Sequence, residues 1–289
     1  MHRFLLFVMI IFSGCASSFS QRLGPASIEI IRTETHHGTQ PGISLAGQGV
    51  CIFDGKVYLY GDANPGLIRE FDFVNERLVP TGREVRLTRD GEDVLPHPTG
   101  LTVHPRLGCF IGDTVRQKGV IWHIDWYRAW ADGTLDNAIL NQTIDDIAVN
   151  GTRPEWVRYQ GRWLIATSDY GNDSNSLRLY DPSRLANVSR TSMEGVLIHR
   201  WPCGSFVQRL HWIDDAEQLV LVQNQRPGLL YRVTCVELRP ELETLTGFEP
   251  IDLDRPTDEL EGFGLLDDGY AVMLSAYPED NTHIVRLID

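Results

Sequence analysis

Five polar residues recur along the chain at nearly equal intervals, each at the start of an otherwise apolar segment. They are separated by 51, 56, 53 and 53 positions, and the set is Gln48, Thr99, Glu155, Gln208 and Glu261. If the repeats converge on one axis, these side chains form a polar ring around it. Two carboxylates in such a ring favour either a bound cation, such as calcium, or an acid–base pair. Hydrogen bonding to neighbouring repeats or to trapped water is the plainer interpretation.

Loops beside this ring add further groups with binding chemistry. The loops before each first segment supply His97, Arg153 and Glu259, and those after the next segment supply Asp62, Asp113, Asp169, Tyr170 and Asn224. His97 and Arg153 suit an anionic or polyhydroxy ligand, although Arg153 could instead pair with Glu155 or Glu259. Tyr170 either stacks on a sugar ring or covers the edge of its repeat. Because Asp and Asn favour loops for backbone reasons alone, the interpretation depends on their convergence.

The carboxylates would permit glycoside hydrolysis or lysis if they face one site. In that case Glu155 is the expected acid, and Asp113, Asp62 or Glu261 the base or nucleophile. Carboxylate separation would decide the stereochemistry, at about 5–5.5 Å for retention and about 6.5–9.5 Å for inversion. The sequence contains no GxSxG, HExxH, P-loop or dinucleotide-binding glycine pattern, so other common catalytic classes have no support.

Repeated strands are the elements that would position these residues. A strand, a turn and a second strand begin at each ring position, a third strand follows, and weaker fourth strands are predicted at 82–87, 138–143, 196–201 and 248–253. Four strands per unit at a period near 53 residues indicate an all-β fold, a five-bladed β-propeller with four-stranded blades. The fifth unit lacks a fourth strand, and we expect residues 27–35 to supply it and close the ring.

This architecture resembles the five-bladed β-propellers, a group that includes arabinanase-like glycoside hydrolases and tachylectin-like sugar-binding proteins. The resemblance covers residues 27–289 and depends on the number and period of the repeats. It implies catalytic carboxylates on the corresponding face, including Asp residues in blades one and two. Gln48 and Thr99 stand at those inner positions here, with Asp62 and Asp113 on neighbouring loops. Glu155, in blade three, suits the place of a general acid.

The first residues predict export. A basic start is followed by an unbroken apolar run at 4–12 and then by small residues before Cys15. The run is too short to span a bilayer and indicates a signal peptide. The residues before Cys15 resemble the bacterial lipobox, whose cysteine is acylated, although Phe12 replaces the usual Leu; secretion without lipid is the alternative. We expect a signal peptide at 1–14, a lipidated tether at 15–26 and one propeller at 27–289, in the bacterial cell envelope, or else secreted or periplasmic.

The net charge of the chain bears on the classes of binding partner that it can have. The net charge is −13, which repels phosphate backbones and argues against nucleic acid. Membrane contact is expected through the lipid anchor only.

Four further cysteines, Cys51, Cys109, Cys203 and Cys235, are widely spaced without a CxxC pair, and we expect them to be small buried hydrophobic residues.

Three functions fit these observations. The first is binding of a polar small molecule or polysaccharide, most plausibly a carbohydrate, at the mouth of the axial tunnel. The second is a glycoside hydrolase or lyase that uses the carboxylates above. The third is an envelope scaffold whose rim binds another protein. The polar ring and the lack of a complete catalytic motif favour the first.

Overall fold

The computed structural model is a five-bladed β-propeller. Each blade is a four-stranded antiparallel sheet, which confirms the fold predicted from the repeats. The structure describes residues 27–36, 46–115, 118–224, 231–247 and 259–288. The predicted signal peptide, the tether and Cys15 therefore lie outside the described residues.

The strands follow the predicted repeats closely. The N-terminal strand is β1 (Ser27–Glu34), and blade one contains β2 (Ala46–Phe53), β3 (Lys56–Asp62), β4 (Leu67–Val74) and β5 (Arg77–Arg86). A small hairpin, β6 (Thr88–Arg89) and β7 (Glu92–Asp93), precedes blade two, which contains β8 (Pro98–His104), β9 (Gly108–Val115), β10 (Lys118–Ile124) and β11 (Ile139–Asp145).

The remaining blades repeat this arrangement. Blade three contains β12 (Glu155–Tyr159), β13 (Arg162–Ser168), β14 (Ser176–Tyr180) and β15 (Leu197–Pro202). Blade four contains β16 (Val207–Ile213), β17 (Gln218–Asn224), β18 (Tyr231–Glu237) and β19 (Glu243–Gly247). Blade five contains β20 (Leu260–Leu265), β21 (Tyr270–Ser275) and β22 (Thr282–Ile288). The fourth strand of blade four is thus Glu243–Gly247, whereas the segment predicted for it, 248–253, lies outside the described residues.

The two ends of the described chain close the ring, as the sequence predicted. Strand β1 pairs with β22 in antiparallel register, with Ser27 opposite Ile288 and Glu34 opposite Thr282. Blade five therefore takes its outer strand from the N-terminal side of the chain. Pairing of the two ends removes an open sheet edge from the closing blade.

The five first strands form the wall of the axis. Each of β2, β8, β12, β16 and β20 contacts the first strands of its neighbours, so that the contacts run once around the ring. Each first strand contributes one apolar residue that is fully buried at a corresponding level of the wall: Val50, Leu101, Val157, Leu210 and Phe263. Blades approach closely here, since a Cβ on Gly262 would lie 2.8 Å from the backbone nitrogen of Val50. Only glycine fits at such a contact.

A short helix between the third and fourth strands of blade two packs against blade one. Helix α1 (Trp126–Asp132) begins after Asp125, whose side chain accepts a hydrogen bond from the Arg128 backbone N–H at 3.1 Å. This side chain is the N-cap of the helix. Trp126 packs edge-on against Tyr58 of blade one, with ring centroids 5.1 Å apart. The other helical turns are α2 (Pro182–Leu185) and a 3-10 turn at Asp267–Gly269.

The four cysteines of the propeller are all unbonded thiols. Cys51, Cys109 and Cys235 are buried and Cys203 is partly buried, in keeping with the predicted packing role. In the part of the chain that the structure describes, no helix has the length and apolar character that crossing a bilayer requires.

Candidate functional site

β-Bulges position four of the five ring residues. The pairing of the first and second strands shifts around Gln48, Thr99, Gln208 and Glu261, so that each of these is the extra, unpaired residue of its strand. A bulge bends the strand and re-aims the side chain beside it. All four residues are nonetheless buried. We call this end of the axis, where first strands begin and second strands end, the mouth.

Blade three has no such bulge within its first strand, and this changes the position of Glu155. The fifth residue of each second strand faces Gly49, Gly100, Glu155, Arg209 or Gly262 in the five blades. Glu155 therefore corresponds to Arg209 and to three glycines, not to Gln48 or Glu261. The repeat alignment is shifted by one residue in this blade, because alternation of apolar residues does not reveal a missing bulge.

Glu155 and Arg209 form an ion pair across the axis. Arg209 Nη2 lies 2.7 Å from Glu155 Oε2, and both residues are buried. Arg209 also donates to the backbone carbonyl oxygens of Val50 (3.3 Å), Leu101 (2.7 Å) and Pro154 (3.2 Å). One side chain of blade four thus bonds to blade one, blade two and the start of blade three. A Cβ on any of the three glycines at the same level would collide with a neighbouring residue: Tyr60 for Gly49, Pro154 for Gly100 and Val50 for Gly262.

Burial affects the acidity of the Glu155 carboxyl, whereas the pKa of Arg209, despite its burial, is raised by its neighbours, Tyr60 and Glu155 among them. Burial raises the pKa of the Glu155 carboxyl, and the charge of Arg209 offsets this only in part. The Glu155 carboxylate also accepts a hydrogen bond from the Trp212 backbone N–H at 3.3 Å. Sequence reasoning missed Arg209; the available signal was an arginine in an apolar inner strand where three other repeats have glycine.

A hydrogen-bonded group at the mouth joins blades three, four and five. Arg153 donates through Nε to the Gln208 carbonyl oxygen (3.1 Å) and through Nη2 to Gln208 Oε1 (3.2 Å). Gln208 Nε2 donates in turn to Glu261 Oε1 at 3.0 Å, and Tyr170 OH donates to Glu259 Oε1 at 3.0 Å. The Arg153 guanidinium lies over the Tyr170 ring, 5.3 Å from its centroid. Five predicted site residues therefore meet here.

Burial alters the acidity of this group. It raises the pKa of Glu261 well above its usual range, and the neighbouring Glu259 carboxylate raises it further. It also lowers the pKa of Arg153 to about 10. Burial therefore favours the neutral form of the Glu261 carboxyl, whereas Arg153 remains charged near pH 7.

Predicted residues of blades one and two form a second part of the mouth. His97 Nδ1 lies 3.1 Å from Asp62 Oδ2. Asp113 is fully buried, neither of its carboxylate oxygens has a hydrogen bond of ordinary geometry, and burial raises its pKa to about 6. Thr99 donates its hydroxyl to the backbone carbonyl of Thr152 in blade three. The Thr99 side chain therefore holds two blades together.

Buried polar atoms without a hydrogen-bond partner are concentrated where second strands end at the mouth. Those near these strand ends are Asp62 Oδ1, both Asp113 oxygens, Thr114 Oγ1, Ser168 Oγ, Asn224 Nδ2, Ser275 Oγ and Arg153 Nη1; other described residues with such atoms include Tyr60, Trp122, Trp130 and Asn175. All five blades contribute. Native proteins leave few such atoms unpaired, and each unpaired atom in the interior costs about 1–3 kcal/mol. The described residues of the mouth therefore leave hydrogen-bonding capacity unused.

Asp169 follows the end of a second strand, but its carboxylate is hydrogen-bonded within the protein. Its Oδ2 accepts from Arg178 Nη1 (2.6 Å) and from Ser176 Oγ (3.0 Å), and its Oδ1 accepts from the Val149 backbone N–H (2.8 Å). Arg178 also pairs with Asp145 of blade two at 3.3 Å. We call Arg178 with these two aspartates the seam cluster. Asp169 thus stabilises the contact between blades two and three.

No group of three or more His, Cys, Asp or Glu side chains suited to a metal ion occurs among the residues that the structure describes. Glu259 and Glu261 at the mouth both accept from Gln208 Nε2, at 3.4 and 3.0 Å. A hydrogen bond between these two carboxyl groups also contributes to the raised pKa of Glu261.

Comparison with known proteins bears on the fold alone. No family model and no curated protein matches the chain. Hydrazine synthase from Kuenenia stuttgartiensis is 10% identical with a TM-score of 0.45, over 83% of this chain and 58% of that one, so this chain spans less than two thirds of that protein. MPT-4, a mannose phosphorylase from Leishmania mexicana, is 12% identical with a TM-score of 0.48, over 90% and 89% of the two chains. The Myceliophteria thermophila Cps50 (Swd1) β-propeller domain is 10% identical with a TM-score of 0.45, over 90% and 99%.

Proposed function

We propose that this protein is an exported, lipid-anchored β-propeller that binds a carbohydrate at the mouth. The observation that carries the proposal is the set of buried, unpartnered polar atoms at the ends of the second strands. Their burial cost is recovered only when a ligand or ordered water pairs with them. The site is thereby selective for ligands that make many hydrogen bonds.

The types of these atoms favour hydroxyl groups. Asp62 and Asp113 offer acceptors, Arg153 and Asn224 offer donors, and the serine and threonine hydroxyls offer both. A sugar hydroxyl donates one hydrogen bond and accepts two, so it can satisfy every member of such a mixed set. A purely anionic ligand would meet two carboxylates, and a purely cationic ligand would meet Arg153. The resemblance to sugar-binding propellers agrees with this choice.

Glycan binding by variants of the mouth tests the proposal. The mature chain is applied to a glycan array, and the affinity of its best glycan is then measured by calorimetry. Arg153→Met and Asp113→Ala each remove unpartnered hydrogen-bonding atoms at the mouth, and we expect at least about a tenfold loss of affinity, or roughly 1.4 kcal/mol. Arg128→Ala, on helix α1 away from the mouth, is the control. The proposal fails if no glycan binds, or if both mouth variants bind like the wild type.

A glycosidase is the second candidate, favoured by the burial that raises the pKa of Glu261. A carboxylic acid kept neutral near pH 7 is what protonation of a glycosidic oxygen requires. Glu155 is engaged by Arg209 below the mouth, so Glu261 would take the acid's role. Release of reducing sugar from the bound glycan separates the two candidates. Abolition of that release by Glu261→Gln, with binding retained, would favour the hydrolase over the binding protein.

Export and lipidation belong to the same proposal and have their own test. The basic start, the apolar run and Cys15 support them. Cells that express the full chain are labelled with radioactive palmitate. We expect the label in the wild type and its loss in Cys15→Ser. An unlabelled wild type would remove the anchor from the proposal and leave glycan binding unaffected.

A further inference from the structure

The end of the axis opposite the mouth holds a separate cavity of about 400 Å³. It lies where the first strands of blades one to four end, and three indoles line it, those of Trp156, Trp163 and Trp212. Its lining also includes Glu155 and Arg209. Small-molecule sites commonly have volumes of about 300–1,000 Å³ and aromatic walls with a few polar groups. The cavity has both properties.

The axial ion pair separates this cavity from the mouth. Arg209 reaches across the axis to the backbone oxygens of Val50, Leu101 and Pro154 while it holds Glu155. Its guanidinium therefore closes the channel between the two ends. The cavity does not include Arg153 or Glu261 in its lining. A ligand bound here would not be the ligand of the mouth.

The rings of two histidines add hydrogen-bonding nitrogens to the lining of the cavity without adding charge. His104 lies beside Trp156 and Trp163, with ring centroids 5.4 and 4.9 Å apart, and its Nδ1 accepts from the Arg106 and Leu107 backbone N–H groups. Since Nδ1 is the acceptor, the proton of the neutral ring is on Nε2. Burial lowers the pKa of His104, and lowers that of His211 to about 3. Both rings are therefore neutral at physiological pH.

The fixed charges of the cavity cancel. Glu155 and Arg209 compensate each other at its inner end, and Asp214 and Arg106 are both exposed at its rim. A charged ligand would leave one of these groups with an unfavourable neighbour, whereas a neutral ligand would not. Asp214 accepts from Trp212 Nε1 at 3.3 Å and, as a carboxylate, has further lone pairs for a ligand.

We propose that this cavity is a second binding site, for a neutral pyranose ring. Such a ring presents an apolar C–H face that packs on Trp163, the partly exposed indole of the lining, and hydroxyl groups that bond to Asp214, Arg106 and His104. Flat aromatic walls with polar groups at the rim are complementary to a ligand of that kind. The inference does not depend on carbohydrate binding at the mouth.

Tryptophan fluorescence of the mature chain tests the proposal directly. The probes are methyl glucoside, methyl galactoside and methyl mannoside in both anomeric forms, and their disaccharides. We expect at least one probe to give a saturable change in emission. Trp163→Ala and Asp214→Ala should each weaken that binding at least tenfold. Asp214 is exposed, so its replacement leaves folding intact even if Trp163→Ala does not.

Matched controls distinguish the two sites. Arg153→Met, at the mouth, should leave this fluorescence titration unchanged, because the ion pair lies between. The proposal is overturned if no probe gives a saturable change, or if Asp214→Ala binds like the wild type. It is also overturned if tetramethylammonium binds and the pyranosides do not, since that result would assign the indoles to a cation. Failure of mouth binding would not alter any of these outcomes.

Discussion

Arg178 in the seam cluster and Arg153 at the mouth are both buried side chains near blade three, but they differ in how fully they are paired. Arg178 contacts two carboxylates, Asp169 at 2.6 Å and Asp145 at 3.3 Å. Although burial opposes its charge, Asp145 leads the neighbours that raise its pKa above the usual range. Arg153 has no ion pair among the described residues, its Nη1 has no hydrogen-bond partner, and burial lowers its pKa to about 10.

Pairing, and not burial, therefore distinguishes these two arginines. Arg178 stabilises the fold, because its removal would leave the carboxylates around it buried without a counter-charge. Arg153 has an unpaired donor among other unpaired polar atoms, and so it retains hydrogen-bonding capacity.

Arg178→Met should destabilise the protein most. It leaves Asp145 and Asp169 buried without their counter-charge, and loss of one partner of a buried pair typically costs about 3–5 kcal/mol. Urea denaturation of the wild type and the variant measures the free energy of unfolding. A change in the free energy of unfolding below about 1 kcal/mol would show that the seam cluster does not stabilise the fold. The distinction between Arg178 and Arg153 would then be wrong.

Asp113→Asn should stabilise the protein at alkaline pH. The folded-state pKa is raised from 3.8 to about 6, so the stability associated with the protonated form is complete below pH 4 and is lost as the pH rises through about 6. Above pH 7 the neutral variant avoids this loss and should be more stable by up to about 3 kcal/mol. Unfolding curves at pH 4, 6 and 8 measure it. Equal pH dependence in the two proteins would contradict a strained carboxylate at the mouth.

Arg153→Met should change stability by only about 1 kcal/mol in either direction, since two hydrogen bonds to Gln208 are lost while a poorly paired buried charge is removed. Its main effect should be on glycan affinity. Denaturation and calorimetry on the same preparation give both quantities. If stability falls as far as in Arg178→Met, the distinction between the two arginines is wrong.

Arg128→Ala should have the smallest effect on stability and on glycan affinity. Arg128 is exposed and pairs with Asp132 of the same helix at 2.8 Å. Solvent and salt screen such a pair, so neither the unfolding midpoint nor glycan affinity should change measurably. A measurable fall in the midpoint would indicate that α1 contributes more to the contact of blades one and two than its packing suggests.

Much of the fold could be predicted from the sequence because the repeat itself carries the information. Apolar alternation at five regular positions located the first and second strands to within two residues, and the unpaired fifth unit indicated that residues 27–35 close the ring. Prediction was weaker for fourth strands and for Trp126–Asp132. Outer strands bury less apolar surface, and a capping Asp can start a helix with little change in composition.

The candidate site was only partly predictable. Convergence of Arg153, Gln208, Glu259 and Glu261 at one mouth followed from the repeats, but the position of Glu155 did not. Because blade three lacks the bulge, Glu155 lies one position further along in the register of its strand, where it forms an ion pair with Arg209. Asp169 likewise had the residue type and spacing of a mouth residue, yet Arg178 on the adjacent strand holds it.

By itself the sequence determined the number of blades, their strands and the side of the ring on which polar loops gather, since each depends on a pattern repeated five times. Only the tertiary structure decided which of those polar residues meet. Contacts such as Glu155 with Arg209 cross between blades, and a one-residue change of register redirects a side chain without altering the apolar pattern.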